Sequence, residues 1–135
     1  MVLSSHLAFD LGATSGRAIL GRLEKDHLTL TEVHRFPNAM LRERGRYVWD
    51  TNRLFSEINF GIAAARTSQD PISSIGVDTW GVDFGLLDAK GTLLSMPVAY
   101  RDPYTDGIMD EIFRIIPRET LYARTGIQFM QLNSL

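Results

Sequence analysis

Cysteine is absent from the chain, which excludes a disulfide scaffold and fits a reducing compartment without demanding one. Lysine is scarce as well, since twelve of the fourteen cations are arginine. Those arginines are scattered: the nearest approach to a cluster, Arg42, Arg44 and Arg46, is interrupted by Glu43. Sixteen acidic residues bring the net charge to −2, so there is no electrostatic footprint for nucleic acid. No apolar run approaches the roughly 20 residues that span a membrane as a helix. The first ten residues lack a basic segment, and His6 and Asp10 break their apolar stretch, which argues against a signal peptide. Internal repeats and low-complexity linkers are missing too. What is present is 135 residues, 44% hydrophobic and 22% charged, enough for one globular domain with a sizeable core. The expectation is a soluble cytoplasmic domain.

The order of elements is legible from periodicity and turn residues. Residues 7–9 form a short apolar strand ending at Asp10, residues 11–16 a turn with two glycines and two hydroxyls, and residues 17–23 a second strand. After a polar turn at 24–27, residues 28–36 alternate in period two until Pro37. Three consecutive strands with tight turns predict an antiparallel meander. A polar loop is expected over 38–46 and a brief extended piece over 47–49. Asp50 or Thr51 then caps a helix in which Leu54, Phe55, Ile58, Ile62 and Ala65 make one apolar stripe to about Ser68, with Asp70 and Pro71 closing it. Residues 72–77 read as a buried strand ending at Asp78. A helix and strand after a meander form a crossover, so this strand should lie parallel to a neighbour. Residues 82–87 and 92–95 are expected to pair across a turn at 88–91, with Gly91 where positive φ is wanted. Asp102 and Pro103 read as a helix start, with an apolar core face through Ile108, Met109, Ile112, Phe113, Ile115 and Ile116. Pro117 ends it and opens a short second helix closed by Gly126. The sequence then reaches Leu135 without a polar tail, and so reads as a chain cut in mid-structure.

The first motif is Asp10-Leu-Gly-Ala-Thr-Ser-Gly-Arg17. Gly12 and Gly16 let backbone approach an anion closely, and successive amides can form a nest for phosphate oxygens. Thr14 and Ser15 add hydroxyls, and Arg17 adds a fixed positive charge. Asp10 is placed to hold Mg²⁺ beside such phosphates, directly or through water. No Gly-Lys-Ser/Thr follows, and the loop returns as a strand, so neither the Walker nor the Rossmann pattern applies. The competing reading is a tight hairpin with no ligand.

The second motif is Asp78-Thr-Trp-Gly-Val-Asp83, after the crossover strand, where sheets of this kind bind ligands. Two carboxylates, a hydroxyl and an indole suit a polyol: the carboxylates accept from sugar hydroxyls, and the Trp80 face covers C–H surface. Gly81 lets a ligand lie against backbone. The alternative makes Trp80 a core aromatic and Asp83 a hairpin residue. Tyr100-Arg101-Asp102 could line the same pocket, although Asp102 also suits a helix cap. His6, His27 and His34 have no metal-ligand spacing, and no Ser-His-Asp arrangement can be argued.

Together the first motif, the longer run Ile75-Gly-Val-Asp-Thr-Trp-Gly-Val-Asp-Phe84 that contains the second, Ala99-Tyr-Arg-Asp102 and Thr125-Gly-Ile-Gln-Phe129 resemble the FGGY carbohydrate kinases. The resemblance runs from about Leu7 to Leu135 in the right order. Its specific parts are the Asp78–Phe84 run and the Tyr-Arg-Asp segment, since the Asp-x-Gly turn is shared by many actin-like proteins. It implies an α/β, actin-like ATPase (ribonuclease H-like) fold, of which this chain is the N-terminal part: antiparallel meander, crossover helix, parallel strand, then hairpin and helices. Residues 1–135 would be an incomplete first kinase domain, with the second domain absent and the rest of the kinase packing against it.

The implied reaction transfers the γ-phosphoryl of ATP to a ketose, with L-rhamnulose giving L-rhamnulose 1-phosphate as the expected case. By the same resemblance, Asp10 helps place Mg²⁺, and Ala13, Thr14, Ser15, Gly16 and Arg17 form the phosphate loop. Gly81 contacts the sugar, with Trp80 and Asp83 as neighbours. Many members carry Thr where this chain has Ala13, which costs the loop one hydroxyl and agrees with one branch of the family. The family's catalytic base, an Asp in the second half of the first domain, and most of the adenosine site lie beyond 135 residues. No catalytic residue is therefore expected here, and this stretch alone should not turn over. A non-catalytic sugar- or phosphate-binding module remains as a second reading. A different actin-like ATPase is a third, against which the Trp80–Asp83 segment argues.

Overall fold

The computed structural model describes residues 4–67 and 71–133. The expected helix reach to Ser68, the stop at Asp70 and the chain's last two residues lie outside them. The chain divides into two compact units, the first comprising residues up to Ala39 with Asp50–Trp80, the second Met40–Trp49 with the residues from Gly81 onward.

In the first unit, β1 (Ser4–Leu11), β2 (Ser15–Glu24) and β3 (His27–Pro37) form the expected meander, and β6 (Ile72–Thr79) adds to the far side of β1. The strand order is β3-β2-β1-β6, with β6 parallel to β1 and the other pairs antiparallel. The helix α1 (Thr51–Ala65) connects β3 to β6 by way of the second unit's first segment. Asp50 is its cap, accepting from the Arg53 amide at 2.9 Å, which satisfies one of the orphan donors of the first turn.

Alternation along β1 sends Leu7, Phe9 and Leu11 to one face, where they join Ala18, Leu20, Phe36 and Ala65 in the core. Leu54, Ile58 and Ile62 of α1 pack onto this cluster. Phe55 does not: it is 66% exposed, being one residue and about 100° around the helix from Leu54. Gly61 takes part instead, because a Cβ there would stand 2.6 Å from the Phe9 ring. The strand at 72–79 was expected to be buried and is not. Its core-side residues Ile75 and Val77, in register with Leu7 and Phe9, are 50% and 56% exposed. The reason is that α1 lies mainly over β3 and β2, and β6 is the edge strand on the other side of β1.

Gly16 is also a packing residue. A Cβ on it would stand 2.1 Å from Cζ of Phe36, whose ring is 3% exposed. Gly16→Ala is expected to destabilise by about 1–3 kcal/mol through overpacking. The check is a lower urea midpoint with an unchanged denaturant slope.

Residues 38–46, which belong to the second unit from Met40 on, do not form the expected polar loop. They contain most of a hairpin between β4 (Leu41–Glu43) and β5 (Arg46–Val48). Arg44 and Gly45 turn it with φ of 48° and 82°, the two positive values that a type I′ turn requires. Val48 bridges to Val98, and the Ala99 amide donates to the Tyr47 carbonyl at 2.8 Å. The expected strands at 82–87 and 92–95 shrink to a turn with one bridge, Leu87 to Leu93. Asp88 holds that turn by accepting from the amides of Lys90 and Thr92, both at 2.8 Å.

Asp102 caps only a 3₁₀ turn, Pro103–Thr105, and not the long helix expected to begin there. The helix α2 starts later, at Ile108–Ile115, after Gly107 at φ 81°. Its apolar face is not wholly core: Ile115 is 81% exposed, while Phe113 meets Phe129 edge-on at 5.0 Å. The helix α3 (Arg118–Thr125) runs from Pro117 to a left-handed Gly126, as expected.

Asp102 is 1% exposed. It accepts from the Tyr47 amide at 2.6 Å, the Tyr104 amide at 2.9 Å and Arg46 at 3.3 Å, tying β5 to the segment at 102–104. Burial pushes its carboxyl up, but the Tyr47 and Tyr104 amides and the Arg46 guanidinium outweigh it and hold the pKa below its ordinary value. With the folded pKa lowered, the stabilisation is complete above the unfolded pKa and is lost as pH falls through the folded one. Asp102→Asn should lower the melting temperature at neutral pH by several degrees and flatten its decline in acid. Equal losses at neutral pH and in strong acid would exclude the ionised carboxyl as the cause.

Candidate functional site

The phosphate-loop candidates lie in the first unit, at the end of β1 and the start of β2. Gly12 donates its amide to the Ser15 carbonyl at 3.0 Å, closing a tight turn around Ala13 and Thr14. A Cβ at Gly12 would stand 2.8 Å from that carbonyl oxygen, so the turn itself demands glycine. Thr14 is exposed, and Ala13 and Ser15 are half-buried. Asn38 holds the turn from the end of β3: its amide donates to the Thr14 carbonyl at 2.9 Å and its Nδ2 to the Gly12 carbonyl at 2.9 Å. Sequence reasoning missed Asn38. The available signal was the meander itself, which pairs Ser15 with Pro37 and so returns residue 38 to the loop.

Asp10 stands on the sheet face opposite the core. Arg17 Nε donates to Asp10 Oδ2 at 2.8 Å, in an ion pair 42% and 46% exposed. This commits one edge of the guanidinium to the carboxylate. Across the four strands, Arg35, Arg17, Asp10 and Asp78 share one register row. Asp78, expected to act with Asp83 on a sugar, is thus the strand neighbour of Asp10.

The turn's donor set fits an anion: Thr14 and Ser15 hydroxyls and backbone at a strand end, with an arginine alongside. It also fits Mg²⁺ of the kind bound with a nucleotide, which takes one or two carboxylates plus phosphate oxygens and water. Among the described residues no group of three or more His, Asp or Glu could hold a metal by itself. Asp10 offers a single carboxylate, within the one or two that such an ion takes beside phosphate oxygens and water.

Trp80 ends the first unit and packs, partly buried, against its core cluster. Gly81 and Asp83 belong to the second unit. Gly81 is exposed, and a Cβ there would meet nothing within 4 Å. Asp83 Oδ2 accepts from Nε1 of Trp49 at 2.6 Å. Trp49, 2% exposed, was read only as part of an extended piece. Asp83 also lines a cavity of about 180 Å³ with Phe84, Tyr100, Tyr104, Gln131 and Asn133.

Residues 5–135 match the FGGY family of carbohydrate kinases, N-terminal domain. The rhamnulokinase of Halalkalibacterium halodurans is 46% identical over 133 residues, covering 98% of this chain and 28% of that protein. The rhamnulokinase of Bacteroides thetaiotaomicron is 48% identical over 131 residues, covering 97% and 27%. The chain thus spans little more than a quarter of the length of these relatives. Among solved structures, the xylulose kinase of Rhodospirillum rubrum superposes with a TM-score of 0.77 at 24% identity, over 95% of this chain and 27% of that one. That likeness carries the fold, an actin-like α/β domain, and the family match runs through the Gly12 turn, β6 and the Asp83 segment alike. By both its sequence and its architecture, the chain belongs to the FGGY family of carbohydrate kinases, in the region of that family's N-terminal domain.

Proposed function

We propose that this chain is the N-terminal portion of a cytoplasmic, ATP-dependent sugar kinase that phosphorylates a ketose, L-rhamnulose to L-rhamnulose 1-phosphate. The observation that carries this reading is the 46–48% identity to rhamnulokinases across nearly the whole chain. Among the described residues no helix is long and apolar enough to cross a membrane.

In this reading the turn at 12–15, braced by Asn38, receives the nucleotide's phosphates on its amides and hydroxyls. Arg17 fixes Asp10 through the 2.8 Å ion pair, so the carboxylate meets a metal already oriented. Mg²⁺, when bound with the nucleotide, neutralises charge on the phosphates. Gly81 leaves backbone open to the sugar and Asp83 accepts from its hydroxyls, with Trp80 the residue next to Gly81 in the sequence. The catalytic base and the adenosine pocket belong to the remaining three-quarters of the kinase, which packs against these units. Phosphoryl transfer rests on positioning and charge stabilisation with a base to orient the nucleophile, so residues 1–135 by themselves do not turn over.

The test is ADP release by the complete gene product with ATP, Mg²⁺ and a panel of ketoses, alongside residues 1–135 alone. Turnover should be restricted to the complete protein and fastest with L-rhamnulose. Preference for another ketose would overturn the substrate. A gene product that binds sugar or phosphate but releases no ADP with any ketose would make it a binding module.

A further inference from the structure

The hydrogen bond between Trp49 and Asp83 spans 34 residues of sequence. Its donor sits on a rigid frame. The Trp49 amide donates to the Pro97 carbonyl at 2.9 Å, Val48 bridges to Val98, and Ala99 donates to Tyr47. The indole is buried, at 2% exposure, so its Nε1–H has one fixed direction, and that direction meets Oδ2 of Asp83 at 2.6 Å. The segment at 97–100 that clamps Trp49 also supplies Val98 and Tyr100 to the cavity lined by Asp83.

Two other residues of that wall are tied down as well. Gln131 Nε2 donates to the Asp102 carbonyl at 3.4 Å, and Asn133 Nδ2 to the Gln128 carbonyl at 2.8 Å. The cavity measures about 180 Å³ and combines the Asp83 carboxylate with the polar side chains of Tyr100, Gln131 and Asn133, the mixture of acceptors and donors that suits a polyol. Recognition of a polyol depends on where each acceptor oxygen points, because a carboxylate that rotates loses the entropy of ordering each time it binds.

We propose that Trp49 is a positioning residue for a polyol subsite: it holds the Asp83 carboxylate in the orientation that accepts from a sugar hydroxyl in this cavity. This rests on the reading of Asp83 as a sugar-binding residue and adds to it the residue that orients it. Trp49 itself does not touch the sugar.

The experiment uses the complete gene product, with L-rhamnulose and ATP as probes. Trp49 is replaced by its benzothiophene isostere, which keeps the shape and removes the N–H donor, so the buried packing survives. Trp49→Phe serves as the second variant. Sugar affinity is read by calorimetry without nucleotide, ATP KM by turnover, and folding by the melting temperature. The isostere should weaken L-rhamnulose binding roughly two- to tenfold, the cost of ordering one freed side chain on binding, with ATP KM unchanged and the melting temperature lowered by no more than a few degrees. In an Asp83→Ala background it should have no further effect.

Weakened sugar binding by Asp83→Ala but not by the isostere would overturn the positioning role and leave the sugar reading of Asp83 intact. Unchanged binding in Asp83→Ala would overturn both. A parallel loss of sugar binding, ATP KM and melting temperature in the isostere would reduce the bond to a structural pin and overturn the proposal as well.

Discussion

Asp10→Asn in the complete gene product is expected to lower phosphoryl transfer on the order of a thousandfold, a loss comparable to removing a preorganised electrostatic contact from a reaction centre, while L-rhamnulose binding stays within about twofold. The substitution keeps the shape of the side chain and removes its charge. The fold should tolerate it, because the carboxylate's ion pair with Arg17 leaves both side chains more than 40% exposed. Pairs so open to solvent contribute about 1 kcal/mol or less. The strand also remains whole, since β1 is held by ladders to β2 and β6 through backbone groups that Asn preserves.

A selective loss therefore separates the chemistry of the nucleotide side from the stability of the sheet. The measurements are initial rates at saturating ATP, calorimetric sugar binding and a melting curve. Normal turnover by Asp10→Asn would remove Asp10 from any metal role. Lost turnover with an intact melting curve but a rescued rate at high Mg²⁺ would strengthen that role.

The parts of this fold that could be read from the sequence are those whose cause is local. Asp50 caps α1, Pro117 and Gly126 bound α3, and period-two alternation marks β3, each by chemistry contained within a few residues. Even there, only the backbone state was legible. Alternation in β3 correctly implies a strand, yet Leu28 and Leu30 are 59% and 63% exposed, because burial depends on what covers a face. The exposed Ile75 and Val77 of β6 make the same point. The hairpin at 41–48 was missed because its first turn position is Arg44, a residue that does not advertise φ of 48°. Asp102 announced a cap, and it is one, but it caps a single 3₁₀ turn. Its larger task, binding the Tyr47 amide 55 residues away, has no local signature.

The candidate site divides along the same line. Asp10, Gly12 and Arg17 lie within eight residues and could be joined by eye. Asn38 and Trp49, which hold the two motifs from elsewhere in the chain, could not. Two glycines of one motif also prove unlike. The Gly12 turn demands glycine beneath a carbonyl oxygen, whereas Gly16 makes room for the Phe36 ring. Grouping Asp78 with Asp83 was natural from five residues' separation, yet β6 carries Asp78 in register with Asp10.

That division sets the second large effect. Asp83→Ala in the complete gene product should raise the sugar KM roughly ten- to hundredfold while moving the ATP KM about twofold or less, since losing a charged acceptor from a polyol contact costs about 1.5–3 kcal/mol. Two consequences are combined in this variant. On the proposed function the sugar loses an acceptor, and the Trp49 Nε1–H loses the carboxylate oxygen it meets at 2.6 Å inside a buried setting. The second consequence lowers stability, because a buried donor stripped of its acceptor carries its desolvation cost uncompensated.

The paired variant Asp83→Asn separates the two. It retains an oxygen for the indole N–H and gives up the charge, so its melting temperature should stay near that of the parent protein. If the sugar hydroxyls need the ionised acceptor, its sugar KM should still rise, by about tenfold. Equal effects on sugar and ATP KM in Asp83→Ala, or none on either, would return Asp83 to the role of a turn residue pinned by Trp49. A split confined to sugar KM, present in both variants and unaccompanied by melting in Asp83→Asn, requires the carboxylate to act on the sugar itself.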